Sequence, residues 1–207
     1  MNDIKYDHLI DKDLNVSTTG LIDWPNGAYM DYNRTESSSY ADLDHLIAEY
    51  KGIENSHLVD FGSGKGRILF YFNHKLGIPT TGIDVNRIAY SYLVQNYVDY
   101  TAKFPKRAQD IRYHEIKAEE YPVKAEDNVF YFFNPFTVKI FDQVMKNIET
   151  SLLIRPRPVD IILFYPEINV TEYLEQQTSF KKVQTIKNKH YQRDNRECFY
   201  VYRYMPE

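Results

Sequence analysis

The chain has 207 residues, 43% of them hydrophobic, with 19 Tyr and 12 Phe. That is enough apolar material for one substantial α/β core and speaks against general disorder. With 25 basic against 29 acidic residues the net charge is −4, which excludes a chain-wide cationic surface for nucleic acid or membrane. Cys198 is the single cysteine, so no intramolecular disulfide and no thiolate metal cluster can form. The start, Met1 to Lys5, lacks a basic region followed by an apolar run, and no apolar stretch reaches the length needed to span a bilayer. A soluble cytoplasmic protein is expected.

In chain order, residues 1–37 read as polar and turn-rich, with Trp24-Pro25-Asn26-Gly27 as a turn signal. Ser39 and Asp42 sit at capping-box spacing before Leu43, Leu46, Ile47 and Tyr50, which recur at helical period. Residues 1–50 are expected to cover the site as an N-terminal segment and helix, and residues 51–207 to form the main domain. Strands are expected at Leu58–Phe61, Thr80–Asp84, Ile111–Ile116, Val129–Phe133 and Val159–Tyr165. Helices alternate with them: one carries Ile68, Leu69, Phe72 and Leu76 on one face, one is capped by Asn86 and bears Ile88, Tyr92, Leu93 and Tyr97, one opens at Thr137, and a short one spans Asn169–Gln177. Phe180–Ile186 and Cys198–Tyr204 are strand-like runs joined by a polar loop, the pattern of an antiparallel hairpin. The expected fold is α/β, a doubly wound, mostly parallel seven-stranded sheet with helices on both faces and a C-terminal antiparallel hairpin.

Asp60-Phe61-Gly62-Ser63-Gly64-Lys65-Gly66-Arg67 lies where the first strand hands over to the first helix. In such sheets ligands bind beyond the carboxyl ends of the strands, and glycines let them touch the backbone. A Walker loop would need glycine and a hydroxyl where Val59 and Gly66 stand. A dinucleotide fingerprint would need a small residue in place of Arg67, which also speaks against a nicotinamide dehydrogenase. What remains suits a ligand without phosphates. Asp84 follows Gly66 by 18 residues, at the end of the second strand, where a carboxylate can accept hydrogen bonds from a ribose diol.

With these motifs and this element order, the chain over about residues 55–205 resembles the class I, Rossmann-like S-adenosylmethionine-dependent methyltransferases, in particular small bacterial members with the same Asp-Phe-Gly-Ser-Gly-Lys-Gly-Arg first motif. The resemblance implies S-adenosylmethionine as cofactor. Gly62, Ser63, Gly64 and Gly66 would hold its methionine end, Asp60 would orient its amino group, and Asp84 with Val85 would hold the ribose. Ala118 and Glu119 would contact the adenine, although Lys117 stands where the family has an acid. Asn134-Pro135-Phe136, after the fourth strand, is similar to the Asn-Pro-Pro-aromatic motif of methyltransferases acting on amino nitrogens, with one proline missing. The resemblance implies that Asn134 accepts a proton from the methyl acceptor beside the cofactor, with Pro135 and Phe136 completing the site. It also implies that a Thr- and Tyr-bearing segment preceding the first strand folds over the cofactor, here with Tyr40 and Glu36.

The expected reaction is displacement of the sulfonium methyl by an N or O acceptor of unknown identity, which could be protein, nucleic acid or small molecule. It requires alignment and exclusion of water and no metal. The alternative is a non-catalytic S-adenosylmethionine-binding module serving a partner protein. His114-Glu115 reads as a solvated face, with no metal expected. The cluster Lys181, Lys182, Lys187, Lys189, His190, Arg193 and Arg196 reads as a solvated hairpin loop in preference to a nucleic-acid surface.

Overall fold

The computed structural model describes residues 3–23, 30–52 and 55–206. The turn expected at Trp24 to Gly27 lies outside these residues. Seven strands, β1 (Leu58–Phe61), β2 (Thr80–Asp84), β3 (Ile111–Glu115), β4 (Val129–Phe133), β5 (Val159–Phe164), β6 (Lys181–Lys187) and β7 (Cys198–Tyr204), form one sheet. Their order is β3-β2-β1-β4-β5-β7-β6. The first five run parallel, and β7 enters antiparallel between β5 and β6. The strand order reverses between β1 and β4, which is where such sheets open a crevice.

Alternation decides which face each side chain serves. Leu58, Val129, Tyr131 and Ile162 pack with helices α2 (Tyr40–Glu49), α3 (Arg67–Leu76) and α4 (Arg87–Lys103). Val59, Phe61, Phe130, Phe132, Ile161 and Leu163 point the other way, toward α6 (Val138–Ile154) and α7 (Ile168–Gln177). All six residues of β5 are buried, as an apolar run covered on both faces requires. Phe132 stacks against Phe61 at 5.1 Å and meets Phe141 edge-on at 5.1 Å. Each such buried ring contributes about 1.5–3 kcal/mol from area alone. A short helix α5 (Pro105–Ala108) and a 3-10 turn (Ala118–Glu120) flank β3.

The expected caps are present at two helices. The Ser39 hydroxyl accepts from the Asp42 amide, and the Asn86 carboxamide accepts from Ile88 and Ala89. Thr137 precedes α6 but caps nothing with its side chain, which donates instead to Asp31 Oδ1 at 3.2 Å. A larger departure is at the N-terminus, where Asp3–Leu14 forms a helix, α1, inside a stretch read as turns. Its apolar side is weak, with Ile4 65% exposed. Its anchor is polar: the buried Asp11 carboxylate accepts from the amides of Thr18 and Thr19 and from the hydroxyls of Thr18 and Tyr40.

No helix among the described residues is long and apolar enough to cross a membrane. His114 is half-buried against the Tyr121 ring at 6.0 Å. In the basic hairpin region Lys182 pairs with Glu175, Lys189 with Asp3, and Arg196 with Asp194 and Glu167.

Candidate functional site

The glycine loop leaves β1 beside the strand-order reversal, so it faces the carboxyl ends of β2 and β4. Gly62 and Gly64 have φ of 83° and 53°, in the left-handed region that favours glycine. A Cβ on Gly62 would stand 2.5 Å from Pro135 Cβ, and one on Gly64 2.5 Å from Thr35 Cγ2. Both positions therefore tolerate no added side chain, because the side chains of Pro135 and Thr35 lie directly upon them. Gly66 is different: its Cβ would meet Phe70 and Leu93, so this glycine serves helix packing and faces away from the crevice. Ser63 is buried, and its hydroxyl meets no hydrogen-bond partner among the described residues.

Two carboxylates lie under the loop. Asp84, 7% exposed, accepts from the Gly64 amide and the Asn86 amide, each at 2.7 Å. Burial pushes its pKa up to about 6 against the opposing pull of those amides. Asp60 is 4% exposed, and its carboxyl is held well above the ordinary value, by burial first and by the nearby Asp84 second. No hydrogen bond to Asp60 eases this among the described residues. It lines a small cavity with Ser37, Ser38, Gly62, Ser63, Gly64 and Tyr131. A buried acid without a donor is costly unless protonated or met by a cation.

Arg67, whose bulk spoils a dinucleotide loop, has a different occupation. Its guanidinium donates to Asp7, to the Thr18 hydroxyl and to the Ser38 carbonyl, and lies over the Tyr40 ring at 4.4 Å. Lys65 donates to the carbonyls of Thr19 and Gly20. The two basic residues of the first motif thus clamp the N-terminal segment onto the loop.

That segment places Tyr40 apart from the other expected site residues. Tyr40 is fully buried, its hydroxyl is bound to Asp11 at 2.8 Å, and it supports the Arg67 clamp without reaching the crevice. The catalytic placement expected for Tyr40 is corrected accordingly. Glu36 does line the crevice, together with Asn134, in a cavity of about 770 Å³ walled by Phe133, Phe164 and Tyr165. Asp42 and Glu197 also border it, both with pKa values raised chiefly by burial.

Asn134 ends β4 with φ 39°, and Tyr165 ends β5 with φ 53°. Positive φ is tolerable for asparagine and strained for tyrosine, and such strain gathers where a chain is held for a purpose. Phe136 is 3% exposed and packs edge-on to Phe132 at 6.0 Å.

Residues unmarked by any sequence motif complete the site. The Tyr32 hydroxyl donates to Glu119 Oε2 at 2.6 Å and accepts from the Ala118 amide at 3.1 Å. Its ring meets Phe136 edge-on at 5.7 Å. The Asn33 carboxamide donates to the Asn134 carbonyl at 2.8 Å and to Asn134 Oδ1 at 3.3 Å, and the Asn33 amide donates to the Pro135 carbonyl. Lys117, in place of the family's acid, pairs outward with Glu120. Val85 lies at the β2 exit beside Asp84.

No family model and no curated protein matches the chain. Among solved structures, it is similar to human methyltransferase 10 domain containing protein, at 14% identity and TM-score 0.58, covering 98% of this chain and 95% of that one. The N-terminal domain of human METTL16 in complex with SAH matches at 10% identity and TM-score 0.55, over 98% and 80% of the chains. An RNA methyltransferase from Salinibacter ruber in complex with S-adenosyl-L-homocysteine (SAH) matches at 17% and 0.50, over 83% and 94%. Strand order, the antiparallel β7 and these likenesses together give the chain the Rossmann-like fold of the class I S-adenosylmethionine-dependent methyltransferases.

Proposed function

We propose that the protein is an S-adenosylmethionine-dependent methyltransferase that delivers a methyl group to an N or O acceptor held at Asn134. The observation that carries this reading is Asp60, a buried carboxyl that meets no hydrogen-bond donor among the described residues, beneath a glycine loop. An amino acid's ammonium group supplies the cation such a carboxyl lacks. Gly62 and Gly64 would give backbone contacts to the same methionine moiety, and Asp84 would accept from the ribose diol. Ala118 offers an amide donor and Glu119 a carboxylate acceptor, the pair that an adenine edge requires. The cofactor supplies an electrophilic methyl on a good leaving group. The protein's share is to aim the acceptor, through Asn134 and the Pro135 carbonyl, and to exclude water.

The acceptor cavity brings Glu36, Asp42 and Glu197 against Arg34, itself paired with Glu36 at 3.2 Å. This balance suits a neutral or cationic acceptor better than a phosphate-bearing one. A second reading, a non-catalytic cofactor-binding module, is favoured by one observation: Asn33 already occupies the acceptor oxygens of Asn134. Transfer of labelled methyl from S-adenosylmethionine to size-fractionated cell extract tests both. A labelled product that requires Asn134 supports the enzyme. SAH binding without any transfer, across all fractions, supports the module.

A further inference from the structure

The segment 31–35 sits on three of the surfaces that the proposed function assigns to ligands. Tyr32 takes the donor at Ala118 and the acceptor at Glu119. Asn33 presents an NH2 group to both oxygens of Asn134 and its own amide to the Pro135 carbonyl. Thr35 presses its methyl onto Gly64. A nucleoside edge, a methyl acceptor and a methionine backbone would need those same three surfaces.

The surfaces themselves are held without the segment. The Glu119 carbonyl is fixed by the Asn147 carboxamide at 2.8 Å from α6, Ala118 is buried, and Phe136 packs on Phe132 from below. The segment, in contrast, attaches chiefly through polar contacts. Asn33, Arg34 and Glu36 are exposed and Tyr32 is half-buried. It is pinned at one end by Asp31, which accepts from Lys139 at 2.9 Å and from Thr137 through its carboxylate and its carbonyl. At the other end, Thr35 pairs with Ile22, and Ser38 bonds to Tyr131 at 2.7 Å. Between those pins lie the residues that fill the site.

We infer that residues 31–35 are an internal competitor of the cofactor and the methyl acceptor: Tyr32 stands in for the nucleoside edge and Asn33 for the acceptor nitrogen, and the segment must lift off before either ligand binds. This rests on the assignment of Ala118, Glu119 and Asn134 to ligands. Its consequence follows from population arithmetic: only the lifted fraction is competent, so the apparent dissociation constant equals the intrinsic one divided by that fraction. Weakening the latch therefore tightens binding.

The test uses the full chain with SAH as probe. Tyr32→Phe keeps the ring and removes both hydrogen bonds, and Asp31→Ala loosens a pin that touches none of the ligand surfaces. Calorimetry is expected to give at least about fivefold tighter SAH binding for each variant. In the wild-type protein, the Asn33 amide should exchange its hydrogen faster when SAH is saturating. Weaker binding in both variants, or slower exchange at Asn33 with SAH, overturns the proposal and makes the segment a lid that closes over the ligand. Binding by wild type with unchanged affinity in the variants sinks the competitor alone. Absence of binding in all three proteins sinks the cofactor assignment and the competitor with it.

Discussion

The Gly64 amide donates to the Asp84 carboxylate at 2.7 Å, tying the glycine loop to the end of β2. Ionised Asp84 is the acceptor that a ribose diol needs, and its pKa is pushed up to about 6 by burial. SAH affinity should therefore rise with pH below 6, by at most about tenfold per unit, and level off above about 7. Asp84→Ala should lower affinity about 10- to 100-fold at pH 7.5. Calorimetry across pH checks both, and a flat profile with full affinity in the variant removes Asp84 from the site.

Asp60 predicts a pH-dependent stability of opposite sense to an ordinary salt-bridged acid. Its folded pKa is raised, by burial and then by Asp84, so folding favours the protonated form. That stabilisation is complete below the unfolded pKa of about 3.9 and is lost as pH rises through the folded value. Asp60→Asn cannot ionise. Its Tm should gain on wild type as pH rises, by about 3 °C or more between pH 4 and pH 8, while SAH affinity falls. A Tm difference independent of pH would mean that Asp60 is relieved in the folded protein by a group other than those described.

Arg67 and Asp7 form a buried pair, with side chains 3% and 13% exposed. Arg67→Ala strands Asp7 and frees the Thr18 hydroxyl and Ser38 carbonyl from their donor. The expected loss is about 3–5 kcal/mol in urea unfolding, with α1 becoming the first site of limited proteolysis. Adding Asp7→Ala should recover part of that loss. A cost below about 1 kcal/mol would show that the clamp is dispensable.

Asn134 separates binding from turnover. Its φ of 39° makes glycine the cleaner replacement, since Asn134→Gly removes the side chain without forcing a Cβ into the left-handed region. SAH affinity should stay within about threefold, while methyl transfer falls about 100-fold, because an acceptor contact matters most in the attacking geometry. Equal losses in both quantities would make the side chain a support for the loop.

Much of the fold was legible because its signals act over a few residues. The apolar run Val129–Phe133 bounded by Asn134-Pro135, the Ser39 and Asn86 caps and the spacing of Gly62 and Gly64 each depend on neighbours in the chain, and the strands lie within a residue of where these signals put them. Helix α1 was not legible, since its docking rests on the polar Asp11 network and not on an apolar stripe.

The sequence by itself determined the sheet, its C-terminal hairpin and the two acids flanking the glycine loop, through local periodicity and turn chemistry. Tertiary structure alone decided what those motifs face. Arg67 turned from an obstacle beside a pyrophosphate into a clamp 60 residues from its partner Asp7, Tyr40 was withdrawn into that clamp, and Gly66 went to helix packing. Tyr32 and Asn33 entered the site across separations of 87 and 101 residues. No local pattern encodes such contacts, because they exist only once the crevice between β1 and β4 has formed and offers unpaired donors and acceptors that a chain passing over it can satisfy.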